Sequence, residues 1–207
     1  AGKRKRDSTG EWTDDNVMKL AFSTLGCPNW PWREIYAAAK DLQVDGIEIR
    51  GIENEMYAPR VRIFDDKNRE DTNRGVTLAQ LSSAGIALTQ LTSGATLGMP
   101  DSPSAGRQEV LDYIEMARKT GVPYIRVMIS NQPGPEPVDL DQAKALYLEL
   151  CGAAKEKGVC LLIETNGVLA DSKVMAEFME GTDPAAAGVL WDIHHPYRFF
   201  GESPAQT

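Results

Sequence analysis

The chain has 207 residues, 42% of them hydrophobic and 25% charged, which is enough for one globular domain and too short for two. Its 30 acidic and 22 basic residues give a formal net charge of −8, and this acidity argues against a nucleic-acid partner. No apolar run approaches the ~20 residues of a membrane span and no signal-peptide core is present, which predicts a soluble cytoplasmic protein with no membrane partner.

Residues 1–17 are polar and show no periodicity, so we expect a disordered tail or a cloning remnant before the folded part. The KRKR run in this segment suits a localisation signal or a nucleic-acid patch, but runs of like charge usually stay solvated. The folded domain is therefore expected over residues 18–207.

From residue 18 onward, short apolar or β-branched runs alternate with helical patterns, which is typical of βα units and a parallel sheet. The strands are predicted, in chain order, at residues 19–26, 46–51, 86–94, 124–130, 160–167 and 187–195. The intervening helices are predicted at residues 31–43, 72–85, 107–121, 139–158 and 171–181, and a polar insert covers residues 52–72. The third helix is the clearest, because Val110, Ile114 and Ala117 share one face and Gly121 provides a stop.

The sheet is predicted to be of the (β/α)8 TIM-barrel type rather than an open, doubly wound sheet. The first strand is followed by CPNWPW, which lacks the glycine-rich phosphate loop of doubly wound folds. Polar residues instead end several different strands, which is typical of a TIM barrel. These residues are Arg50, Thr92, Ser93, Ser130, Asn131, Glu164, Asp192, His194 and His195.

The chain is short for such a barrel, since a complete TIM barrel runs to about 250 residues. Six predicted strands lead us to expect an incomplete barrel with about six βα units. The last residues, GESPAQT, predict the beginning of a sixth helix with Ser203 as its cap and Pro204 after it. An open barrel exposes strand edges and interior apolar side chains, so we expect an oligomer or a complementing chain that covers them.

Two carboxylates follow neighbouring strands and are the candidate metal ligands. Glu164 lies in LLIETNG and Asp192 in VLWDIHH, each after a hydrophobic strand. Oxygen ligands suit a hard divalent cation, Mn²⁺ or Mg²⁺, often with an imidazole, and Zn²⁺ or Co²⁺ remain open. Such a cation polarises a sugar carbonyl or hydroxyl and stabilises an enediolate. The alternative is that Glu164 belongs to a structural ion pair and Asp192 is a cap or turn residue.

The two histidines of the chain, His194 and His195, follow Asp192 closely. Side chains alternate along an extended strand, so alternation would place His194 on the same face as Asp192 and make it a candidate for substrate binding. That parity is unreliable where a strand ends and the chain turns. Packing of a histidine within a loop is the alternative interpretation.

These segments resemble the sugar phosphate isomerase/epimerase family of xylose isomerase-like TIM barrels. The resemblance extends from Lys19 to Thr207 and rests on KLAFSTLGCPNW, GIEIRG, LLIETNG and, above all, GVLWDIHHPYRFFGESP. In this family a metal is held by Glu, Asp, His and Glu residues on strands five to eight, and the resemblance places the first two at Glu164 and Asp192. A further histidine three residues after that Asp contacts the substrate, which implies this role for His195.

The chain also departs from the family pattern. The histidine of strand seven and the glutamate of strand eight have no counterpart, because those strands are absent from the sequence. Ketose 3-epimerases often carry a second glutamate six residues after the first, and here that position is Ala170. Of the two glutamates that transfer protons in those epimerases, only Glu164 is present.

Basic and aromatic residues near the strand ends are candidates for substrate binding. Arginine is the natural partner of a carboxylate or phosphate, which makes Arg50, Arg126 and Arg198 candidates. An ion pair in the helix layer is the alternative for Arg126. Trp32 and Tyr197 are candidates for lining the pocket and excluding water, and core or loop packing is their alternative.

Two functions remain open and a third is rejected. The first is a divalent-metal-dependent isomerase or epimerase that acts on a small-molecule sugar or sugar phosphate by proton transfer through an enediolate. The second is a non-catalytic fragment, or a subunit of a split or swapped barrel whose site a partner completes. The third, an endonuclease IV-like phosphodiesterase, is rejected because such sites use several zinc ions and many histidines, whereas this chain is acidic and has two.

Overall fold

The structure, a computed structural model, describes residues 18–65, 73–99 and 103–207. The tail predicted at residues 1–17 and the end of the polar insert, residues 66–72, lie outside the described residues. Within the described ranges, no helix is long and apolar enough to cross a membrane.

In the part of the chain that the structure describes, six strands form one parallel sheet whose spatial order follows the chain order. Each neighbouring pair is parallel, which is the arrangement that βα units produce. The predicted α/β class and its six βα units are therefore confirmed. The strands are β1 (Ala21–Ser23), β2 (Gly46–Ile49), β3 (Ala87–Thr96), β4 (Tyr124–Met128), β5 (Cys160–Glu164) and β6 (Ala187–Leu190).

The α-helices in the described residues are α1 (Trp32–Asp41), α2 (Arg74–Ala84), α3 (Pro103–Thr120), α4 (Leu140–Lys155), α5 (Ser172–Met179) and α6 (His194–Phe200). Local hydrogen bonds explain where several of them begin. Asn73, Asp139 and Asp171 each accept a bond from a backbone N–H of the following first turn, as N-cap side chains do. Gly121 follows α3 with a φ of 73°, which confirms the predicted stop.

The hydrophobic core lies between the sheet and its covering helices. Ile47, Ile125 and Ile163 are fully buried on the strands and pack in one cluster with Val110 of α3 and Tyr147 of α4. Each fully buried side chain of this size stabilises the fold by about 1.5–3 kcal/mol. This apolar layer fixes which face of each strand turns towards the helices.

The opposite face of the sheet carries polar side chains. Because successive residues alternate along a strand, Glu48, Arg126 and Glu164 lie on the face opposite to the buried isoleucines. The register between β4 and β5 sets Arg126 opposite Leu162, so Glu164 lies two residues further along on the same face. The register between β5 and β6 sets Glu164 opposite Leu190. The carboxyl ends of the strands therefore bring charged residues together.

The segment after β6 differs from the prediction of a strand over residues 187–195. The strand ends at Leu190, and α6 begins at His194. The Asp192 carboxylate accepts hydrogen bonds from the backbone N–H groups of His194 and His195, at 2.7 and 3.2 Å, and these bonds favour a helical turn. The capped start predicted at Ser203 is present as a single turn that follows α6, rather than as the start of the sixth helix itself. The N–H of Thr207 donates to the Ser203 carbonyl at 3.2 Å, and Oε1 of Gln206 accepts a bond from the Ser203 N–H at 2.9 Å.

The strand β1 is also shorter than the predicted range of 19–26. A 3₁₀ helix at Thr24–Gly26 replaces its end, with Ser23 Oγ accepting a hydrogen bond from the N–H of Leu25 at 3.1 Å. The Thr24 hydroxyl oxygen accepts bonds from the N–H groups of Arg50 and Gly51, at 2.8 and 3.1 Å. These bonds turn the chain across the end of β2.

Candidate active site and metal centre

Glu164 is 7% exposed at the end of β5, and each of its two carboxylate oxygens lies near a different residue. Its Oε2 accepts a hydrogen bond from Nε of Arg126, and Arg126 donates a second bond from Nη1 to the Ser93 carbonyl at 2.9 Å. Its Oε1 lies 3.7 Å from Nδ1 of His195. The ion pair that was the alternative role for Glu164 is present, and it leaves the second oxygen for another partner.

Asp192 uses one carboxylate oxygen to shape the chain and keeps the other open. Its Oδ1 accepts the two N–H bonds that begin α6, as described above. Its backbone N–H donates to the Thr165 hydroxyl at 2.8 Å, and that hydroxyl donates to the Asp192 carbonyl at 3.1 Å. Thr165 thereby fixes the backbone of Asp192 beside the end of β5. The alternative role of Asp192 as a cap is also present, while Oδ2 is not part of the cap.

His195 lies between the two carboxylates. Its Nδ1 is 3.0 Å from the Thr165 carbonyl oxygen, and its Nε2 is 3.7 Å from Oδ2 of Asp192. Since a carbonyl oxygen only accepts, Nδ1 carries the proton of the neutral ring and Nε2 keeps its lone pair. The ring packs against Phe199, with centroids 6.0 Å apart, which holds its orientation. This tautomer is the one in which Nε2 is able to contact an ion or accept a hydrogen bond.

Glu164, Asp192 and His195 each offer one ligand atom within 4.8 Å of the others. Two carboxylates and an imidazole are ligands that Mg²⁺, Mn²⁺ and Zn²⁺ all accept. The ion pair and the cap occupy one oxygen of each carboxylate and leave the other oxygen on the side of the histidine. The residues present therefore fit a divalent cation whose remaining positions are open to substrate or water.

A cavity of about 300 Å³ opens beside these carboxylates, a size suited to a small ligand. It is lined by Ser23, Leu25, Glu48, Thr92, Arg126, Glu164, Leu190, Trp191 and Asp192. A larger cavity of about 500 Å³ lies between the insert and α3, next to residues such as Phe64 and Met116, and contains none of the candidate ligands. The smaller cavity is therefore the candidate active site.

Glu48 is a cavity residue that the sequence analysis missed. Its Oε1 accepts hydrogen bonds from the hydroxyl groups of Ser23, at 2.8 Å, and Thr92, at 2.6 Å. Its Oε2 accepts a bond from Nε2 of Gln90 at 3.1 Å. A signal was present in GIEIRG, because a glutamate between two isoleucines of a strand faces away from them.

Of the six predicted substrate-binding residues, Arg126 lines this cavity and the other five do not. Trp32 is 5% exposed and packs in the core with Tyr36 and Phe64, at centroid distances of 6.4 Å in both cases. Arg50 donates a hydrogen bond from Nη1 to the carbonyl of Met56, in the loop after β2. Both side chains hold the insert against the sheet, which is the packing role rather than the pocket role.

The other four predicted site residues lie on α6, and the helix turns them to two different sides. His195 turns towards Glu164 and Asp192, whereas His194, Tyr197 and Arg198 are exposed and do not line the cavity. The i, i+3 spacing of Asp192 and His195 brings their side chains together because the chain is already helical there. Strand alternation selected the other histidine because it assumed that β6 continues.

The cap formed by Asp192 can be separated from any role in metal binding. We expect Asp192→Ala to lower the free energy of unfolding by about 0.5–2 kcal/mol, because it removes the acceptor at the start of α6. Asp192→Asn keeps an acceptor oxygen and should lower it by a few tenths of a kcal/mol, while both variants should bind Mn²⁺ more weakly. Urea unfolding and Mn²⁺ titration measure the two effects. Equal stability of the two variants would exclude the capping role.

The chain matches the model of one protein family, described as xylose isomerase-like TIM barrel, over residues 36–206. No curated protein matches it. The match covers most of the chain, including all three candidate ligands.

Solved structures with the same fold include two enzymes and a magnesium complex. The D-psicose 3-epimerase of Clostridium cellulolyticum H10, solved with D-tagatose, has a TM-score of 0.67 and 18% identity over 90% of this chain and 67% of that chain. The probable 3-DHS dehydratase AsbF of Bacillus anthracis has a TM-score of 0.67 and 15% identity over 86% and 64%. A xylose isomerase-like TIM barrel protein of Mycobacterium smegmatis, in complex with magnesium, has a TM-score of 0.66 and 14% identity over 91% and 69%.

Identities this low show a common fold and do not transfer an activity. The chain also spans less than two thirds of the length of several matched structures, at 62 to 64%. The activities of the longer proteins are therefore a guide to this site only where its own residues support them.

Proposed function

Because this chain belongs to the xylose isomerase-like TIM barrel family, we propose that it is a divalent-metal-dependent isomerase or epimerase of a sugar or sugar phosphate. The observation that carries the proposal is the convergence of Glu164, Asp192 and His195 beside a cavity of about 300 Å³. The magnesium of one matched structure and the D-tagatose of another support this combination of ion and sugar.

Glu164 and Asp192 would hold the cation through the oxygens that the ion pair and the cap leave open. Mn²⁺ and Mg²⁺ are the proposed ions, since both prefer carboxylate oxygens. When bound, the cation supplies positive charge that polarises a substrate carbonyl. The remaining chemistry belongs to the side chains around it.

Glu164 is the proposed acid and base. It takes the proton from the carbon next to the substrate carbonyl, the C–H electron pair forms a C=C bond, and the carbonyl oxygen takes the negative charge of an enediolate. Delivery of that proton to the former carbonyl carbon completes an isomerisation when the hydroxyl proton on the first carbon's oxygen also moves to the oxyanion, so that the first carbon becomes the new carbonyl. Epimerisation needs a second proton-transfer group on the opposite face of the substrate. His195 orients the substrate by accepting, at Nε2, a hydrogen bond from a substrate hydroxyl group.

Arg126 is the proposed contact for a negatively charged or electron-rich substrate oxygen. A guanidinium has five N–H donors, and two of them bond Glu164 and Ser93 in this structure. The others are available to the cavity, which Arg126 lines. Arg126 thus positions Glu164 and also adds its positive charge to that of the proposed cation on this side of the cavity.

Removal and return of the metal test the proposed function. The protein is treated with EDTA, reloaded with Mn²⁺ or Mg²⁺, and incubated with free and phosphorylated ketoses and aldoses while the sugars are followed by NMR. We expect aldose–ketose or epimer interconversion in the loaded protein and a loss of at least about 100-fold after chelation. Conversion that is insensitive to chelation, or no conversion with any divalent ion, would contradict the proposal.

We also propose that the active form is an oligomer or includes a complementing chain. Apolar residues are exposed beside β1 and β6, among them Leu20 at 62%, Val189 at 42% and Ile193 at 60%. Among the described strands, β1 and β6 each have one neighbour, so each leaves one backbone edge unpaired. Light scattering should therefore give a mass above that of one chain, or a mass that rises when a complementing chain is added. A stable monomer with a cooperative unfolding transition would count against this assembly.

A further inference from the structure

We propose that Glu48 selects the substrate of this cavity and that the ligand is an unphosphorylated, hydroxyl-rich sugar. The inference rests on the proposed function, because it names the ligand class of the same site. Glu48 lines the cavity from β2, while Arg126 and Glu164 line it from β4 and β5. The two sides of the cavity therefore present different chemistry to a ligand.

On the side of the cavity formed by β1, β2 and β3, the side-chain hydrogen-bond donors all bind other side chains of the same cluster, which comprises Ser23, Glu48, Gln90 and Thr92. The hydroxyl protons of Ser23 and Thr92 both go to Oε1 of Glu48. The amide group of Gln90 donates to Oε2 of Glu48, at 3.1 Å, and to the Thr92 hydroxyl oxygen, at 3.3 Å. Since the amide has two protons and each hydroxyl has one, no donor of these side chains is left for a ligand.

The same cluster keeps acceptor capacity. A carboxylate has about four lone-pair positions, and Glu48 uses three of them. The Ser23 oxygen accepts one bond, from the N–H of Leu25, and the Thr92 oxygen accepts one, from Gln90, so each keeps one of its two lone pairs. This side of the cavity therefore accepts hydrogen bonds from ligand hydroxyl groups and offers a negative charge.

A phosphate group carries charged oxygens that accept hydrogen bonds and do not donate at neutral pH. Against Glu48 such a group would meet like charge and no donor, so its loss of hydration would not be compensated. The β4 to β6 side has the opposite character, because Arg126 and the proposed cation attract an electron-rich carbonyl end. A free sugar suits both sides when its carbonyl lies at the cation and its hydroxyl tail lies at Glu48.

Matched sugars with and without a phosphate test the inference. Isothermal titration of the Mn²⁺-loaded protein is carried out with D-tagatose and with D-tagatose 6-phosphate. We expect the Kd of D-tagatose to be at least about 10-fold lower than that of the phosphate. In Glu48→Gln, which introduces an amide donor, D-tagatose should bind about 10-fold more weakly and the preference over the phosphate should disappear. Glu53→Gln, an exposed glutamate in the following loop, is the matched control and should change neither Kd.

A conservative variant separates this role from a merely structural one. Glu48→Asp keeps the charge at a shorter reach, so it should weaken D-tagatose binding but retain the discrimination against the phosphate. Circular dichroism melting of each variant identifies any loss of fold, and Glu48→Asp carries the test if Glu48→Gln does not fold.

The outcomes distinguish this inference from the proposed function. Equal or tighter binding of the phosphate by the unchanged protein, a preference that survives in Glu48→Gln, or no binding of either sugar would each overturn the role of Glu48. Metal-dependent conversion of phosphorylated sugars alone would leave the proposed function standing while this inference fails. Loss of Mn²⁺ binding in the unchanged protein would instead remove the proposed function itself.

Discussion

Replacing Glu164 by glutamine is expected to lower turnover of the Mn²⁺-loaded protein by about 100- to 10,000-fold, the usual contribution of a group that transfers a proton. The amide keeps the shape of the side chain and still accepts a hydrogen bond from Arg126, so the fold should persist. Affinity for Mn²⁺ should fall at least about 10-fold, because even a residue that only orients a metal ligand usually contributes that much. Steady-state kinetics and Mn²⁺ titration measure the two losses.

Glu156→Gln is the matched control for this variant. Glu156 is exposed at the end of α4, so the same chemical change there should leave turnover and Mn²⁺ affinity unaltered. If Glu164→Gln retains both properties of the unchanged protein, Glu164 is only a structural partner of Arg126. The non-catalytic alternative would then be the better account of the chain.

Replacing Arg126 by methionine is expected to have the largest effect on stability, a loss of about 3–5 kcal/mol in the metal-free protein. The side chains of Arg126 and Glu164 are 13% and 9% exposed, so the variant leaves a buried carboxylate without its counter-charge. The carbonyl of Ser93 also loses its donor. Urea unfolding at neutral pH measures the change in the free energy of unfolding.

Two comparisons make this prediction specific to charge. The double variant Arg126→Met with Glu164→Gln removes both charges and should recover most of the lost stability. Saturating Mn²⁺ should also stabilise Arg126→Met more than it stabilises the unchanged protein, because a cation beside Glu164 replaces the missing charge. A loss below about 1 kcal/mol, or a double variant less stable than Arg126→Met, would contradict a buried pair that depends on its charges.

The sequence predicted the order of the elements well because apolar strands and amphipathic helices alternate with clear polar joins. The face of α3 illustrates this, since Val110, Ile114 and Ala117 are all buried as their spacing predicts. The error at β6 has a local cause. The apolar residues of VLWDIHH suggest one strand, whereas the Asp192 carboxylate supplies the hydrogen bonds of a helical turn two residues later.

The sequence predicted a site residue only where that residue's type and its position directly after a strand were informative without knowledge of its partners. Glu164 and Asp192 are carboxylates directly after apolar strands, and the predicted neighbourhood of these strands is enough to place them together. The pairing of Glu164 with Arg126 depends on the β4–β5 register, which no pattern in either segment specifies. Glu48 depends on even more of the fold, since its partners Ser23, Gln90 and Thr92 come from the strands on both sides.

The positions of Trp32 and Arg50 show a second limit. Both lie near strand ends in the sequence, yet the insert after β2 folds over them, with Ile63 and Phe64 buried in the core. Contacts made by a loop of this kind arise from tertiary packing and have no period in the sequence. Pocket residues and residues that support a loop therefore looked alike before the fold was known.

The central claim is that Glu164 and Asp192 hold a divalent cation beside His195, and anomalous diffraction from crystals soaked in Mn²⁺ tests it most directly. The account predicts a manganese peak next to Oε1 of Glu164 and Oδ2 of Asp192, on the side of the cavity that faces His195. It also predicts that the peak is lost in Glu164→Gln crystals. No peak at saturating Mn²⁺, or a peak only at other carboxylates, would contradict the account.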